Sequence, residues 1–379
     1  MHTSNKPETR WIRDYVFDAL RDLEINYIFG VPGTNEIPII DGCDIASNNV
    51  TYIQCLHESI AVGAAMGYAR MTGKPGVVLL HATPGAGHGL GNLFNAWRSK
   101  IPIVILCGQQ HSQLVTQEPL LASDTALLAS QYTKWSHELR SWQETPLVLQ
   151  RAFKEAMAPP TGPVFLSFPW EYVIHEIEKN YDEPLQVTRI APRFAGDPAG
   201  VSAAARALAI ARDPVIIVGD GAGYADASDE LRELAELIGA PVYLEGQSGM
   251  ADFPNSDYHW QGELPSGQTD VRDRLRLHDV AFMCGFGVQA QLTVFRYENG
   301  PLIPGSVKQI YLNNNTWDIA KNDHCEVAIL GDIKATLPAL NRLLRATPPA
   351  GVADRNTKLK AYSDKRSASW DSYLTEVRD

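Results

Sequence analysis

Short, uninterrupted apolar runs recur along this chain and constrain its fold more than any other feature. Three of them are Gly76–Leu80, Ile101–Gly108 and Val164–Pro169. A strand that is apolar on both faces belongs in a sheet covered by helices on both sides, which is the usual environment of parallel strands. Amphipathic helical patterns such as Trp11–Leu23 separate these runs. The first half is therefore predicted to form a doubly wound, mostly parallel α/β sheet.

The same alternation restarts in the second half, after a charged stretch at Glu176–Pro184. Strands are predicted there at Pro214–Gly219, Pro241–Leu244, Val280–Gly285 and Gln309–Leu312. After Thr347 the chain becomes polar and charged. We therefore expect a first domain at 1–182, a second parallel-sheet domain at 190–346 and a linker or tail at 347–379.

Charge and composition exclude several classes of protein. The formal net charge of −11 argues against nucleic acid or an anionic membrane as the main partner. No apolar stretch reaches the ~18 residues of a membrane-spanning helix, and the amino terminus lacks the apolar core of a signal peptide. The five cysteines are far apart, so reduced thiols in the cytoplasm are expected.

Glu58 is the most informative single residue. It follows the apolar run Val50–Leu56 and opens a helix rich in glycine and alanine, which lets another backbone approach closely. A carboxylate in a first helical turn is stabilised by about 0.3–1 kcal/mol through the helix dipole alone. Its position therefore fits either a structural or a functional residue.

Other polar residues also fall where predicted strands end. They are Pro32–Glu36, His81 with the glycine-rich segment Thr83–Gly89, and Gly108–His111. In a parallel sheet such positions share one edge, where ligands bind. The glycine-rich segment is predicted to be a turn, serving either as a tight crossover or as an anion site at a helix start, and it matches no dinucleotide or P-loop fingerprint.

Plainer structural explanations remain open for individual side chains. One such explanation for His57 is that it does no more than cap or hydrogen-bond near the helix start. For Gln109 and Gln110, the alternative is that they belong to a turn or an interface.

The first half resembles the pyrimidine-binding domain of thiamine diphosphate-dependent decarboxylases and synthases, and within that family most resembles benzoylformate decarboxylases. The second half is similar to the family's central domain, so the resemblance covers about residues 10–345. The residues that carry it are Val31–Glu36, His57–Ser59, Gly63, Gly67–Arg70, His81, Gly85, Gly87, Asn92, Asn95–Trp97, Pro102, Gly108–Gln110, Val164–Pro169 and, more loosely, Phe295–Tyr297.

This resemblance implies thiamine diphosphate as the cofactor. Glu58 matches the glutamate that hydrogen-bonds N1′ of the cofactor's aminopyrimidine and so promotes loss of the thiazolium C2 proton. Pro32 and Gly33 match residues that contact the cofactor beside Glu58. His81 matches a histidine that relays protons. The resemblance thus predicts Glu58 and His81 as catalytic residues.

It also implies a substrate pocket that contains Thr34, Gln109 and Gln110. Thr34 stands where benzoylformate decarboxylases carry a serine that contacts the substrate carboxylate, so the pocket is expected to differ by a methyl group. Those enzymes carry a second catalytic histidine just beyond the match to Phe295–Tyr297. Here Glu298 follows, so that role is not transferred.

The family's third domain binds the diphosphate through Mg²⁺, using Gly-Asp-Gly followed after about thirty residues by paired asparagines. Gly219–Gly221 lies in the central-domain pattern and Asn313–Asn315 comes far too late, so neither is assigned as a metal ligand. The diphosphate-binding domain is therefore expected to be absent from this chain, and Mg²⁺ is expected to be held outside it. The facing subunit completes the cofactor pocket in this family.

We therefore expect decarboxylation or carboligation of a 2-oxo acid by a truncated or split subunit. It would act in a dimer or tetramer, in a complex with a diphosphate-binding chain, or in both, and would be inactive when isolated. Three alternatives remain: an acetolactate synthase-like carboligase, a non-catalytic homologue with an assembly or regulatory role, and an unrelated nucleotide-binding α/β protein. The sequence leaves the particular 2-oxo acid open.

Overall fold

The chain divides into two compact units, residues 1–191 and 192–379. A computed structural model describes residues 9–178, 184–246, 248–250, 252–287 and 300–378, with side chains to residue 374. Each unit is built around its own parallel sheet.

Among the described residues, the first unit contains one six-stranded sheet and one two-stranded ribbon. Its strands are β1 (Thr9–Trp11), β2 (Tyr27–Gly30), β3 (Thr51–Gln54), β4 (Gly76–His81), β5 (Ile103–Gln109), β6 (Trp135–Glu138), β7 (Val164–Pro169) and β8 (Glu176–Glu178). The large sheet has the order β3-β2-β4-β5-β7-β6 and every pairing in it is parallel. The ribbon pairs β1 with β8 in antiparallel fashion, so the predicted charged break begins with a strand.

Helices cover both faces of this sheet. They are α1 (Asp14–Asp22), α2 (Ile37–Cys43), α3 (Glu58–Thr72), α4 (Ala82–Arg98), α5 (Thr125–Ala129), α6 (Thr145–Met157) and α7 (Trp170–Val173). One apolar cluster packs α1 and α6 against the sheet and another packs α3 and α4 against it. The predicted doubly wound α/β fold is confirmed.

The small residues of α3 permit a very close approach to the sheet. A Cβ atom on Gly76, the first residue of β4, would lie 2.3 Å from the carbonyl oxygen of Ala65. Ala61, Ala65 and Ala69 are buried along the side of α3 that makes this contact. The helix is thus held against β4 at a distance that larger side chains would not allow.

The prediction of a glycine-rich turn at Thr83–Gly89 was wrong, because helix α4 already begins at Ala82. Glycine has a low helix propensity, but two glycines here sit on the packed side of the helix. A Cβ on Gly89 would lie 3.1 Å from Cδ1 of Leu80, and one on Gly85 would lie 3.5 Å from the Leu80 carbonyl carbon. These glycines allow close helix–sheet packing rather than a change of direction.

The second unit repeats the architecture. Its strands are β9 (Pro214–Val218), β10 (Val242–Leu244), β11 (Trp260–Glu263), β12 (Val280–Cys284), β13 (Lys308–Asn313) and β14 (Val327–Leu330). Within the described ranges these form a parallel sheet of order β11-β10-β9-β12-β13-β14, so the four predicted strands are joined by two edge strands, β11 and β14. Its helices are α8 (Pro198–Ala209), α9 (Asp220–Tyr224), α10 (Ser228–Ile238), α11 (Gln268–Leu275), α12 (Ile333–Ala346) and α13 (Val352–Arg378).

Helix α13 lies within the stretch predicted to be a linker or tail, and it is anchored to the second unit. Arg355 Nη2 donates a hydrogen bond to the carbonyl of Ile238 at 2.8 Å, and Asn356 Nδ2 donates one to the carbonyl of Glu236 at 3.1 Å. The start of the helix therefore packs against the end of α10. Over the described parts of the chain, no helix combines the length and the apolar character needed to cross a membrane.

Candidate functional site

Glu58 lies at the start of α3, on the edge of the sheet where the strands end. His57 has an extended backbone and its Nδ1 atom accepts the N–H of Ser59 at 3.1 Å, which caps the helix. Glu58 therefore falls in the first turn, where the helix dipole stabilises a carboxylate. Only 8% of Glu58 is exposed to solvent.

His88, on α4, faces this carboxylate. Its Nδ1 atom lies 3.1 Å from Oε2 of Glu58, and its ring stacks on that of His57 with centroids 5.1 Å apart. A Cβ on Gly85, one helical turn earlier, would lie 3.6 Å from Oε1 of Glu58. From the sequence alone, the segment that contains His88 is predicted to be a turn, which leaves His88 without a role. A helical interpretation would have placed Gly85 and His88 on one face.

A second carboxylate–histidine pair joins two other strand ends. His81 is the last residue of β4, and its Nδ1 atom lies 2.8 Å from Oε2 of Glu36. The Glu36 side chain is completely buried. Burial raises the pKa of Glu36 to about 6, although the neighbouring His81 acts in the opposite direction. Glu36 belonged to a predicted motif but had been given no role of its own.

Two glycines make room for this pair. A Cβ on Gly33 would lie 2.1 Å from Cγ of His81, and one on Gly108 would lie 1.7 Å from Oε1 of Glu36. Both distances are far below van der Waals contact. Gly33, predicted to contact the cofactor, thus also has a packing role, while Pro32 beside it is exposed.

The raised pKa of Glu36 predicts a pH-dependent stability. The folded protein holds this proton up to a pH of about 6, whereas an unfolded chain releases it near 4.5. The stabilisation by the proton is complete below pH 4.5 and is lost as the pH rises to 6. A shift of this size corresponds to about 2 kcal/mol.

We therefore expect Glu36→Gln, which removes the ionisable group, to become more stable relative to the wild type as the pH rises from 4 to 7. The gain should be about 2 kcal/mol in the free energy of unfolding. Urea denaturation at several pH values measures it. Parallel stability profiles for the two proteins would contradict the assignment.

Thr34 and Gln110, both predicted to line a substrate pocket, line the same cavity in the first unit. Its volume is about 860 Å³. Its size lies within the usual range for small-molecule sites, about 300–1,000 Å³. Other residues that line it include Trp11, Arg13, His111 and Trp170. The lining thus combines aromatic surfaces with a few polar groups, as small-molecule sites commonly do.

Gln109 is not among the residues that line this cavity. Its side chain is buried, and Nε2 donates to the carbonyl of Ser123 at 2.8 Å and to Oε2 of Glu138 at 3.0 Å. Its Oε1 atom accepts the N–H of Gln110 at 3.0 Å. The structure therefore places Gln109 where it fixes the backbone of Gln110.

In the second unit, Gly219–Gly221 leads from β9 into α9. Oδ1 of Asp220 accepts hydrogen bonds from Ser248 Oγ at 2.7 Å and from the N–H of Gly249 at 2.8 Å. Oδ1 of Asn313 likewise accepts the N–H of Asn315 at 3.1 Å. Asp220 thus holds the distant loop at Ser248 and Gly249, whereas Asn313 supports its own turn. Phe295–Tyr297 and Glu298 lie outside the described residues.

Comparison with known proteins matches both units to one family. The family model described as "Thiamine pyrophosphate enzyme, N-terminal TPP binding domain" matches residues 10–128. The model for the central domain of thiamine pyrophosphate enzymes matches residues 201–340.

Individual relatives agree with this result. The chain is 31% identical over 333 residues to a benzoylformate decarboxylase of Pseudomonas aeruginosa, which covers 87% of this chain and 61% of that protein. It is 28% identical over 333 residues to the acetolactate synthase large subunit of Haemophilus influenzae, covering 87% and 57% respectively. The crystal structure of benzoylformate decarboxylase from Polynucleobacter necessarius superposes with a TM-score of 0.80 at 25% identity, covering 90% of this chain and 63% of that one. The chain thus spans about three fifths of the length of these relatives.

Proposed function

Because this chain belongs to the thiamine pyrophosphate enzyme family, we propose that it provides the pyrimidine-binding half of a site that decarboxylates a 2-oxo acid. The observation that carries the proposal is the buried Glu58 carboxylate at the start of α3. Burying a charged group costs free energy, and His88 Nδ1, 3.1 Å from Oε2 of Glu58, offsets part of this cost.

The described residues fit the pyrimidine half of thiamine diphosphate. Glu58 is buried but retains an exposed fraction of 8%, and Gly85 presents no side chain beside Oε1. We infer that the ring nitrogen of the cofactor approaches Oε1 past Gly85, where no side chain intervenes. When bound, the cofactor supplies the carbon nucleophile that attacks the 2-oxo group, and the protein supplies orientation and electrostatics.

We assign one task to each of five residues in the first unit. Glu58 exchanges a proton with the ring nitrogen of the cofactor. His81 moves protons at the substrate, and Glu36 holds its Nδ1 atom, which fixes the ring and leaves Nε2 free for transfer. We assign Thr34 and Gln110 to substrate binding, with the Thr34 hydroxyl as the group that contacts the carboxylate. Both residues line the cavity described above, whose lining residues do not include Glu58 or His81.

We propose that residues outside 1–379, on the same polypeptide or on a partner subunit, bind the diphosphate and its Mg²⁺. We infer that exposed apolar side chains of the first unit take part in assembly. They include Leu56, which is 93% exposed, together with Ile60, Phe94 and Trp97. Where such side chains are contiguous, they commonly mark protein–protein contacts. A second copy of this chain, a diphosphate-binding subunit, or both would cover them. We place this assembly in the reducing environment of the cytoplasm, where the five free cysteines stay unpaired.

The experiment that tests the function is an assay of the chain with and without a diphosphate-binding partner against a panel of 2-oxo acids. A neighbouring reading frame that encodes Gly-Asp-Gly and paired asparagines is the first partner to try. Release of CO₂ together with an aldehyde supports simple decarboxylation. Release of CO₂ together with condensation to a 2-hydroxy-3-oxo acid would instead support the second candidate, an acetolactate synthase-like carboligase, which the Haemophilus influenzae relative favours. An assembly that binds the cofactor and consumes no 2-oxo acid would favour a non-catalytic homologue.

Because we assign the diphosphate to residues outside 1–379, we predict that this chain alone binds the cofactor weakly. We expect calorimetry to detect negligible affinity for thiamine diphosphate with Mg²⁺, because the groups proposed here reach only the pyrimidine and the substrate. Adding the partner should restore binding. Micromolar affinity of the isolated chain would contradict this division.

A further inference from the structure

His57, Glu58 and His88 form a compact group of potential metal ligands. One ligand atom from each of them lies within 4.8 Å of the others. The set comprises two imidazoles and one carboxylate, which is the ligand set of many open zinc sites that keep the fourth position for water or substrate. We propose that these three residues bind one divalent transition-metal ion of the Zn²⁺ type, and that the bound ion withdraws Glu58 from the cofactor. The withdrawal of Glu58 from the cofactor rests on the proposed function, whereas the binding of the ion does not.

The spacing between His88 and Glu58 already suits a shared ion. Bonds of about 2.0–2.1 Å to nitrogen and to oxygen, at a tetrahedral angle, place two ligand atoms about 3.3 Å apart. The observed separation of His88 Nδ1 and Glu58 Oε2 is 3.1 Å. An ion can thus replace the proton that bridges this pair, and that proton is released to solvent.

His57 can complete the site with a small movement. It is exposed, and it stacks on His88 at 5.1 Å between ring centroids, so rotation of its ring brings a nitrogen toward the same point. The hydrogen bond that its Nδ1 atom accepts from Ser59 N–H is then exchanged for a bond to the ion. Ser59 is partly exposed, so water can replace this interaction.

The environment favours a cation over an empty site. The Glu58 side chain is only 11% exposed, and a buried carboxylate gains from a positive partner. The imidazole-rich set selects ions such as Zn²⁺, Co²⁺, Ni²⁺ or Cu²⁺ over Mg²⁺, which prefers oxygen ligands. The proposed ion is therefore distinct from the Mg²⁺ that accompanies the diphosphate.

The binding test uses the complete chain without cofactor and Co²⁺ or Zn²⁺ alone as the probe. Titration with Co²⁺ should give the intense visible absorption of a four-coordinate ion at one equivalent per chain. Calorimetry with Zn²⁺ should give the same stoichiometry. His88→Asn and His57→Asn should each weaken binding by about tenfold or more, because even outer-shell partners of metal ligands contribute about 10–100-fold. Asparagine retains the capping ability at residue 57, so the helix start is preserved.

His137→Asn is the matched control. Nε2 of His137 lies 3.2 Å from Oε1 of Glu144, so it removes a histidine–carboxylate pair that is not part of the three-residue cluster. It should leave Zn²⁺ affinity unchanged. Equal affinity in the wild type and in both cluster variants, or an octahedral Co²⁺ spectrum typical of an aquo ion, would overturn the site.

A separate experiment tests whether the bound ion withdraws Glu58 from the cofactor. In the assembled enzyme, Zn²⁺ should inhibit in competition with thiamine diphosphate, and His88→Asn should relieve the inhibition. Zn²⁺ binding without such competition would refute the regulatory role while leaving the metal site in place. A catalytically inactive assembly would contradict the proposed function but would not alter the Co²⁺ spectrum.

Discussion

Glu58→Gln is expected to lower the turnover number of the assembled enzyme by about 10³-fold, within the range of about 10²–10⁴-fold typical of a lost proton-transfer group. The amide has the size of the carboxylate and can still accept a hydrogen bond from His88, whose Nδ1 atom lies 3.1 Å from Oε2. It cannot exchange a proton with the ring nitrogen of the cofactor. The measurement is steady-state turnover together with circular dichroism and the free energy of unfolding.

The control for this variant is Glu24→Gln. Glu24 pairs with Lys74 at the surface, and its side chain is 80% exposed. It should leave turnover unchanged, because exposed ion pairs contribute little to stability and this one lies outside the proposed site. A Glu58→Gln enzyme with wild-type turnover would remove the basis of the proposed function.

Gly33→Ala is expected to have the second largest effect. The added methyl group would lie 2.1 Å from Cγ of His81 and 2.7 Å from Oε2 of Glu36, so the histidine must move. Overpacking of this kind costs about 1–3 kcal/mol in stability. Misplacing a catalytic group by about 1 Å can cost about 10²-fold in rate. We expect both losses, measured by urea denaturation and by turnover.

Gly67→Ala serves as the contrasting substitution. No atom lies within 4 Å of the position that a Cβ on Gly67 would occupy, and this glycine is inside a helix. The isolated chain should gain about 0.5–1 kcal/mol. If Gly33→Ala left both stability and turnover unchanged, the packing around His81 would have to differ from that described.

The interior strands could be predicted from the sequence because burial on both faces makes them continuously apolar. β7 has the predicted bounds, Val164–Pro169, since a strand covered on both faces must be apolar throughout. β6 and β11 escaped prediction. Both lie at sheet edges and carry polar residues, as in Trp135–Glu138, so they lack the continuous apolar run.

The side-chain pairs within the candidate site could not be predicted from the sequence. Glu36 and His81 are 45 residues apart along the chain, and only the order of strands in the sheet brings them together. His88 was missed because a glycine-rich segment favours a turn by local propensity, whereas tertiary packing makes it helical. The sequence thus located the edge of the sheet where the site lies, but not the partners within it.

Helices α3 and α4 carry Gly67, Gly87 and Gly91 at positions where nothing lies within 4 Å of a potential Cβ atom. Glycine at such positions weakens folding mainly by enlarging the conformational entropy of the unfolded chain, an effect that no contact in the folded state reveals. Alanine would stabilise the lone polypeptide at each of them. The native glycines instead leave these three exposed positions without a side chain, so that another backbone can approach closely there. The chain on its own has a lower thermodynamic stability as a result.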